Sequence, residues 1–181
     1  TTFFMGKGDI DNATRTIDES IKCDPSNFYA YLSKANLLFQ LQKYDDALKA
    51  VDEALLLKQN NFKALTLKVS ILGILEKYEE SIEVSDIGLK LNVDKYLLYK
   101  KGVSLYYLKK YDEAIIALQK FLRFKPNDIN GILKLIYSYM LVGKYKESTE
   151  LFEKSDLPEQ NDYILYNNIG YAYFKLKKYS E

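Results

Sequence analysis

The chain has 181 residues and a mass of 21.1 kDa, room for one medium domain or a short repeat array. Its apolar fraction of 48% can fill a core, while the absence of His and Trp and a single Cys remove the usual neutral-pH proton shuttle, structural zinc clusters and any intrachain disulfide. Lys plus Arg number 26 against 25 Asp plus Glu, a balance without a general pull toward nucleic acid or anionic membrane.

One dipeptide sets the frame for everything else. Lys43-Tyr44 recurs as Lys77-Tyr78, Lys110-Tyr111, Lys144-Tyr145 and Lys178-Tyr179, with Tyr-to-Tyr steps of 34, 33, 34 and 34 residues. Two residues after each Tyr stands an acid: Asp46, Glu80, Glu113, Glu147 and Glu181. Three after it, wherever the chain continues, stands a small residue: Ala47, Ser81, Ala114 or Ser148.

In that frame the predicted elements run as paired helices. The period extended backward gives a helix at roughly Ile10–Lys22, carrying Ala13, Ile17 and Ser20, with Pro25 just beyond it. At most Thr1–Met5 is left of a helix before that. Phe28–Gln42 follows, with apolar residues at helical spacing; Lys43-Tyr44 is read as the turn. The next helix runs to about Lys58 and opens on Asp45 and Asp46, where the positive end of a helix favours acids. The pattern then gives Phe62–Leu75 and Glu79–Leu91, Lys95–Leu108 and Asp112–Phe124, Ile129–Val142 and Lys146–Asp156. Tyr163–Leu176 is a last first-helix, followed only by the start of its partner. Pro158 is expected to shorten the helix before it and loosen the link to Tyr163. The small column predicts close helix pairs, and Gly102 and Gly170, at one repeat place in the first helices, predict the same from the opposite wall.

Tyr99-Lys100-Lys101-Gly102-Val103-Ser104-Leu105-Tyr106-Tyr107-Leu108-Lys109-Lys110-Tyr111-Asp112-Glu113-Ala114-Ile115 resembles the signature of the tetratricopeptide repeat, and Asn167 to Tyr179 matches its first half. Phe121 departs from the signature, standing where Ala54, Gly88 and Ser155 supply a small residue. The resemblance implies an all-α fold, a right-handed superhelical solenoid of antiparallel helix pairs with first helices on its concave wall. The array divides into a partial repeat 1–27, repeats 28–61, 62–94, 95–128 and 129–162, and a partial repeat 163–181. The Thr start and the lack of a polar cap at either end raise the expectation of an array cut from a longer one.

The groove residues expected from this architecture are Asn36, Tyr96, Tyr99, Lys100, Val103, Tyr107, Lys134, Tyr137, Asn168 and Tyr171. Tyrosines supply broad contact area and a hydroxyl at low ordering cost. Loss of Tyr99 and Tyr137 is accordingly expected to weaken partner binding.

The function expected is a non-catalytic scaffold or adaptor that holds a partner peptide or helix in the groove, with self-association within a longer repeat protein as the alternative. The paired acids recur by repeat and read as helix-start charges, Cys23 has no His to activate it, and Gly6-Lys7-Gly8 lacks a phosphate-loop pattern. Cofactors and metals are therefore not expected. Only Arg15 and Arg123 are arginines, which together with the neutral balance argues against nucleic acid. No stretch approaches a membrane span, and the unpaired cysteine favours a cytoplasmic or other reducing compartment. The subclass that grips chaperone C-terminal tails uses a Lys/Asn/Asn/Lys/Arg set. The matching places hold Leu32, Asn36, Leu67, Tyr96 and Lys100; one repeat on, Thr66, Ser70, Lys100, Asn130 and Lys134; and one further, Tyr99, Val103, Lys134, Ile164 and Asn168, so that partner is disfavoured.

Overall fold

The computed structural model of the chain describes residues 7–155, 157 and 163–178. Expectations that fall on Thr1–Met5, Gly6, Pro158, Tyr179 and Glu181 lie outside the described residues. Among the described residues all regular structure is α-helical, and the chain forms two compact units, Thr1–Asn92 and Val93–Glu181.

The first unit holds α1 (Lys7–Cys23), α2 (Phe28–Gln40), α3 (Tyr44–Leu57), α4 (Phe62–Ile74) and α5 (Tyr78–Leu91). The second holds α6 (Lys95–Tyr107), α7 (Tyr111–Phe124), α8 (Ile129–Leu141), α9 (Tyr145–Lys154) and α10 (Tyr163–Lys178). Within each unit every helix packs on the next, and α2 on α4 and α6 on α8 also touch. Connections of three or four residues return the chain antiparallel from α1 to α5 and from α6 to α9, while eight residues separate α9 from α10.

The Lys-Tyr pair has a sharper role than a turn. After α2, α4, α6 and α8 the residue immediately before the Lys is left-handed: Gln42 (φ 59°), Glu76 (57°), Lys109 (61°) and Gly143 (77°). The following Lys donates its N–H five residues back, to Leu38, Leu72, Leu105 and Tyr139 at 2.8–2.9 Å, satisfying carbonyls that the helix end orphans. The carbonyl of the same Lys accepts the first bond of the next helix, from Ala47, Ser81, Ala114 and Ser148. One residue thus closes one helix and opens another, and the Tyr is already helical.

The opposite connections are capped by side chains. Asn27, Asn61, Asp94 and Asp128 each stand before a first helix and accept from its free N–H groups, at 2.8–3.2 Å. In the first unit a second register-bound contact recurs 34 residues apart. Lys34 meets Asp18 at 2.7 Å and Lys68 meets Asp52 at 2.6 Å, the latter an ionic contact whose angles miss hydrogen-bond geometry.

Ala47, Ser81, Ala114 and Ser148 are wholly buried. A Cβ on Gly102 would come 2.8 Å from the Leu118 side chain, so α6 and α7 do approach at that glycine. Gly170 behaves otherwise: nothing among the described residues lies within 4 Å of an added Cβ, and the residue is exposed. The residues expected to open its partner helix lie outside the described residues. A close approach not anticipated from sequence occurs at Gly131, where an added Cβ would come 2.6 Å from the Phe121 ring. Phe121 fills the place of a small residue, and the facing helix gives up its side chain to accommodate it. The helix α9 stops at Lys154, two residues before the expected Asp156 and four residues shorter than α3, α5 and α7.

Candidate interaction surface

Nine of the ten expected groove residues lie in the second unit, on α6, α8 and α10; Asn36 lies in the first, on α2. Asn36 is exposed and turns its amide back onto the Leu32 carbonyl at 2.8 Å.

The cores of the second unit set which faces remain. Ile115, Leu118, Leu135 and Tyr139 form one cluster, and Ile132, Ile136, Leu165 and Ile169 another, so α6 to α10 are held by contiguous apolar contacts. Tyr99 leans on the first cluster and meets the Phe121 ring at a centroid distance of 5.0 Å. Its hydroxyl is pushed above the ordinary tyrosine value, first by burial and then by the nearby Asp128 charge and Tyr107. Tyr137 leans on the second cluster. Both are half-buried, so part of each ring serves packing.

The exposed part of the surface is built from tyrosine–lysine pairs. Lys134, on α8, reaches across to α6 and lies 4.3 Å from the Tyr106 ring centre and 4.7 Å from that of Tyr107. Lys100 lies 5.4 Å from Tyr96, and Lys175 lies 5.2 Å from Tyr171, each four residues along its own helix. Such distances fall within cation–π range. Tyr107 and Tyr171 stay about half exposed, at 50% and 49%, and Tyr96 at 39%. Val103 and Asn168 are half-buried on the same helices. Tyr171 also meets Tyr145, at the start of α9, edge-on at 6.0 Å.

Sequence reasoning missed Tyr106 as a member. Its ring stands edge-on to Tyr107 and Tyr111 while accepting Lys134, and burial raises its hydroxyl pKa ahead of the influence of its tyrosine neighbours. Adjacent tyrosines at the last turn of α6 were the available signal. On α10, Tyr173 donates a hydrogen bond to the Glu153 carboxylate of α9, the first cause of its raised pKa.

Elsewhere, a cleft of about 410 Å³ in the first unit is lined by Tyr31, Leu38, Ala50 and charged residues of both signs. Cys23 is exposed and unpaired. Among the described residues no group of His, Cys, Asp and Glu is placed to hold a metal ion. No helix among them is long and apolar enough to cross a membrane.

Models of the tetratricopeptide repeat match residues 16–49 and residues 96–128. Among solved structures the chain is similar to MamA, at 24% identity over 82% of this chain and 81% of that one, with a TM-score of 0.76. It is also similar to YrrB, described as a TPR protein with an unusual peptide-binding site, at 20% identity over 89% and 84%, with a TM-score of 0.78. A tetratricopeptide repeat protein of Parabacteroides merdae ATCC 43184 is 22% identical over 95% of this chain and 69% of its own, with a TM-score of 0.74. These likenesses establish an all-α helical-repeat solenoid fold. No curated protein matches the chain.

Proposed function

We propose that this chain, a tetratricopeptide-repeat protein, is a non-catalytic scaffold that binds a partner peptide or helix on the first-helix face of its second unit. The repeats and their fold support a protein-interaction module. The observation that carries the finer reading is Lys134 crossing from α8 to Tyr106 and Tyr107 of α6, which joins successive first helices into one aromatic and cationic surface. The proposed contact set of the second unit is Tyr96, Tyr99, Lys100, Val103, Tyr107, Lys134, Tyr137, Asn168 and Tyr171, and Asn36 is a separate candidate on α2 of the first unit. Rings held by neighbours and half open to solvent offer contact area at little further ordering cost. The peptide-binding site ascribed to YrrB adds support by analogy of fold. The repeat frame proposed for this module is 28–61, 62–94, 95–128 and 129–162, flanked by the partial repeats 1–27 and 163–181.

Selection of a random peptide library on the intact chain tests this. Enriched peptides should bind, and Tyr107→Ala with Tyr171→Ala should weaken them by about tenfold while helicity is kept, since both rings are half exposed. Enriched peptides that bind the double variant as tightly as the parent would refute the surface.

Self-association is a second reading, favoured by the apolar residues that α10 leaves exposed: Ile164 at 55%, Tyr166 at 45% and Phe174 at 57%. Light scattering across a concentration series separates the two, because this reading requires a mass that grows with concentration and the scaffold reading requires a monomer.

A further inference from the structure

The net charge of +1 conceals a segregation by helix. In the second unit α6, α8 and α10 together hold seven lysines and no aspartate or glutamate. The interleaved α7 and α9 carry five acids, Asp112, Glu113, Glu147, Glu150 and Glu153, alongside the basic Lys120, Arg123, Lys146 and Lys154, so it is the acids that are confined to one helix set. In the sequence Asp94, Asp128 and Asp162 immediately precede the lysine-bearing helices, and the oxygens of the first two already accept backbone N–H groups as caps. The face that α6, α8 and α10 present is therefore cationic in a chain that is neutral overall.

Three of those lysines are also positioned. Lys100 and Lys175 each lie on the tyrosine four residues earlier, whereas Lys134 has Asn130 at that place and takes the Tyr106 and Tyr107 rings of the neighbouring helix instead. A ring beneath an ammonium restrains a side chain that otherwise wanders, and it meets one side of a group with three donors. Such an arrangement suits carboxylates arriving from above.

We propose that this face receives an acidic peptide segment, whose side-chain carboxylates are met by Lys100, Lys134 and Lys175 while its apolar groups lie on the tyrosine edges. The proposal rests on the groove reading above and specifies its ligand. It differs from a clamp on a terminal carboxylate, for which no register of these helices supplies the residues. Nucleic acid fits less well. Base stacking needs open ring faces, and those of Tyr96, Tyr106, Tyr107 and Tyr171 carry lysines. No arginine stands on α6, α8 or α10 to hold a phosphate in bidentate fashion.

The test is fluorescence anisotropy with the intact chain at physiological salt. The probes are a labelled peptide of repeated Glu-Ser-Leu triplets, its Gln-Ser-Leu counterpart and an oligouridylate of equal charge. The acidic peptide should bind about tenfold tighter than the Gln peptide and weaken as salt rises. The triple variant Lys100→Met, Lys134→Met, Lys175→Met keeps the aliphatic stems on the rings. It should lose about tenfold for the acidic peptide, with unchanged far-UV circular dichroism, while Lys49→Met should lose nothing. Equal binding of the two peptides, both weakened by Tyr107→Ala, would overturn the acidic ligand and leave groove binding standing. Binding of neither peptide would overturn both readings for this face. Oligouridylate bound more tightly than the acidic peptide would overturn the proposal in favour of nucleic acid.

Discussion

Gly102 and Gly170 occupy one place in the repeat, yet alanine at the two positions should have opposite effects. At Gly102 the new Cβ would stand 2.8 Å from Leu118 Cγ and 2.9 Å from its Cδ2. Carbon contacts settle near 3.5–4.0 Å, so Leu118 would have to retreat by roughly 0.7 Å or more. It has nowhere to go: it is wholly buried and locked among Ile115, Leu135 and Tyr139. Overpacking of this kind costs about 1–3 kcal/mol, against a gain of about 1 kcal/mol from replacing a mid-helix glycine. The clash involves two atoms near the root of a fixed side chain, so the upper part of that range applies and the net loss is about 1–2 kcal/mol. Around Gly170 nothing among the described residues lies within 4 Å, and only the propensity gain of about 1 kcal/mol remains. For a chain of this size the expected change in Tm is a fall of roughly 2–6 °C for Gly102→Ala and a rise of roughly 2–4 °C for Gly170→Ala. Thermal unfolding followed by circular dichroism reads the global change, and hydrogen exchange reads whether it sits in α6–α7 or in α10. Shifts of the same sign at both positions would refute the argument that packing, and not the repeat place, decides the outcome.

Other consequences follow from the helix ends and the buried tyrosines. Gln42→Gly, Glu76→Gly and Lys109→Gly should each raise stability by about 1 kcal/mol in urea titrations, because each side chain now bears the cost of a left-handed backbone, while Gly143→Ala should lower it by a similar amount. Asp94→Ala should cost about 1 kcal/mol through two unpaired N–H groups of α6, and Asp94→Asn should restore most of it. Tyr99 and Tyr106 have folded pKa values raised above the ordinary value of 10.0, so the native state holds their protons after the unfolded state has released them. Their contribution is complete below pH 10 and is lost as pH rises through the folded values; melting temperatures measured from pH 9 upward should fall in that window, and Tyr99→Phe should flatten part of the decline.

The helices were legible because their signals are local and repeated. Phe28, Phe62, Lys95, Ile129 and Tyr163 begin helices where the period placed them, since apolar spacing and a fixed small column leave few alternatives. The connections were misread in detail. Sequence reads Lys-Tyr as the turn, but the bend lies at the residue before Lys, where three of four positions carry a side chain that does not advertise a left-handed backbone. The cap column Asn27, Asn61, Asp94 and Asp128 was in plain sight at the same period and is recognisable from its residue types alone. Gly131 could be found only by pairing it with Phe121, ten residues earlier on another helix, because neither residue is unusual until the two face each other.

The surface was partly legible for the same reason and partly hidden by averaging. Helical phase brought Tyr96, Lys100, Tyr107, Lys134 and Tyr171 onto the candidate face, but phase does not say which rings double as packing; the contacts of Tyr99 with Phe121 and of Tyr137 with the α8–α10 core do. Net charge misled in a different way. A sum over 181 residues returns +1 whether acids and bases are mixed or sorted, and here the acids follow the helix order: α7 and α9 mix both signs, while α6, α8 and α10 carry lysines and no carboxylate. The fields of charges on one face are felt by a ligand within about a Debye length, 8 Å at physiological salt, which is shorter than the distance through a pair of packed helices. A ligand on the α6–α8–α10 face therefore meets the lysines of those helices at close range, while Glu153 of α9, nearest to α10, is already held by Tyr173. Neutral composition removes long-range steering of nucleic acid toward the whole molecule, yet leaves each face free to select its own partner by sign.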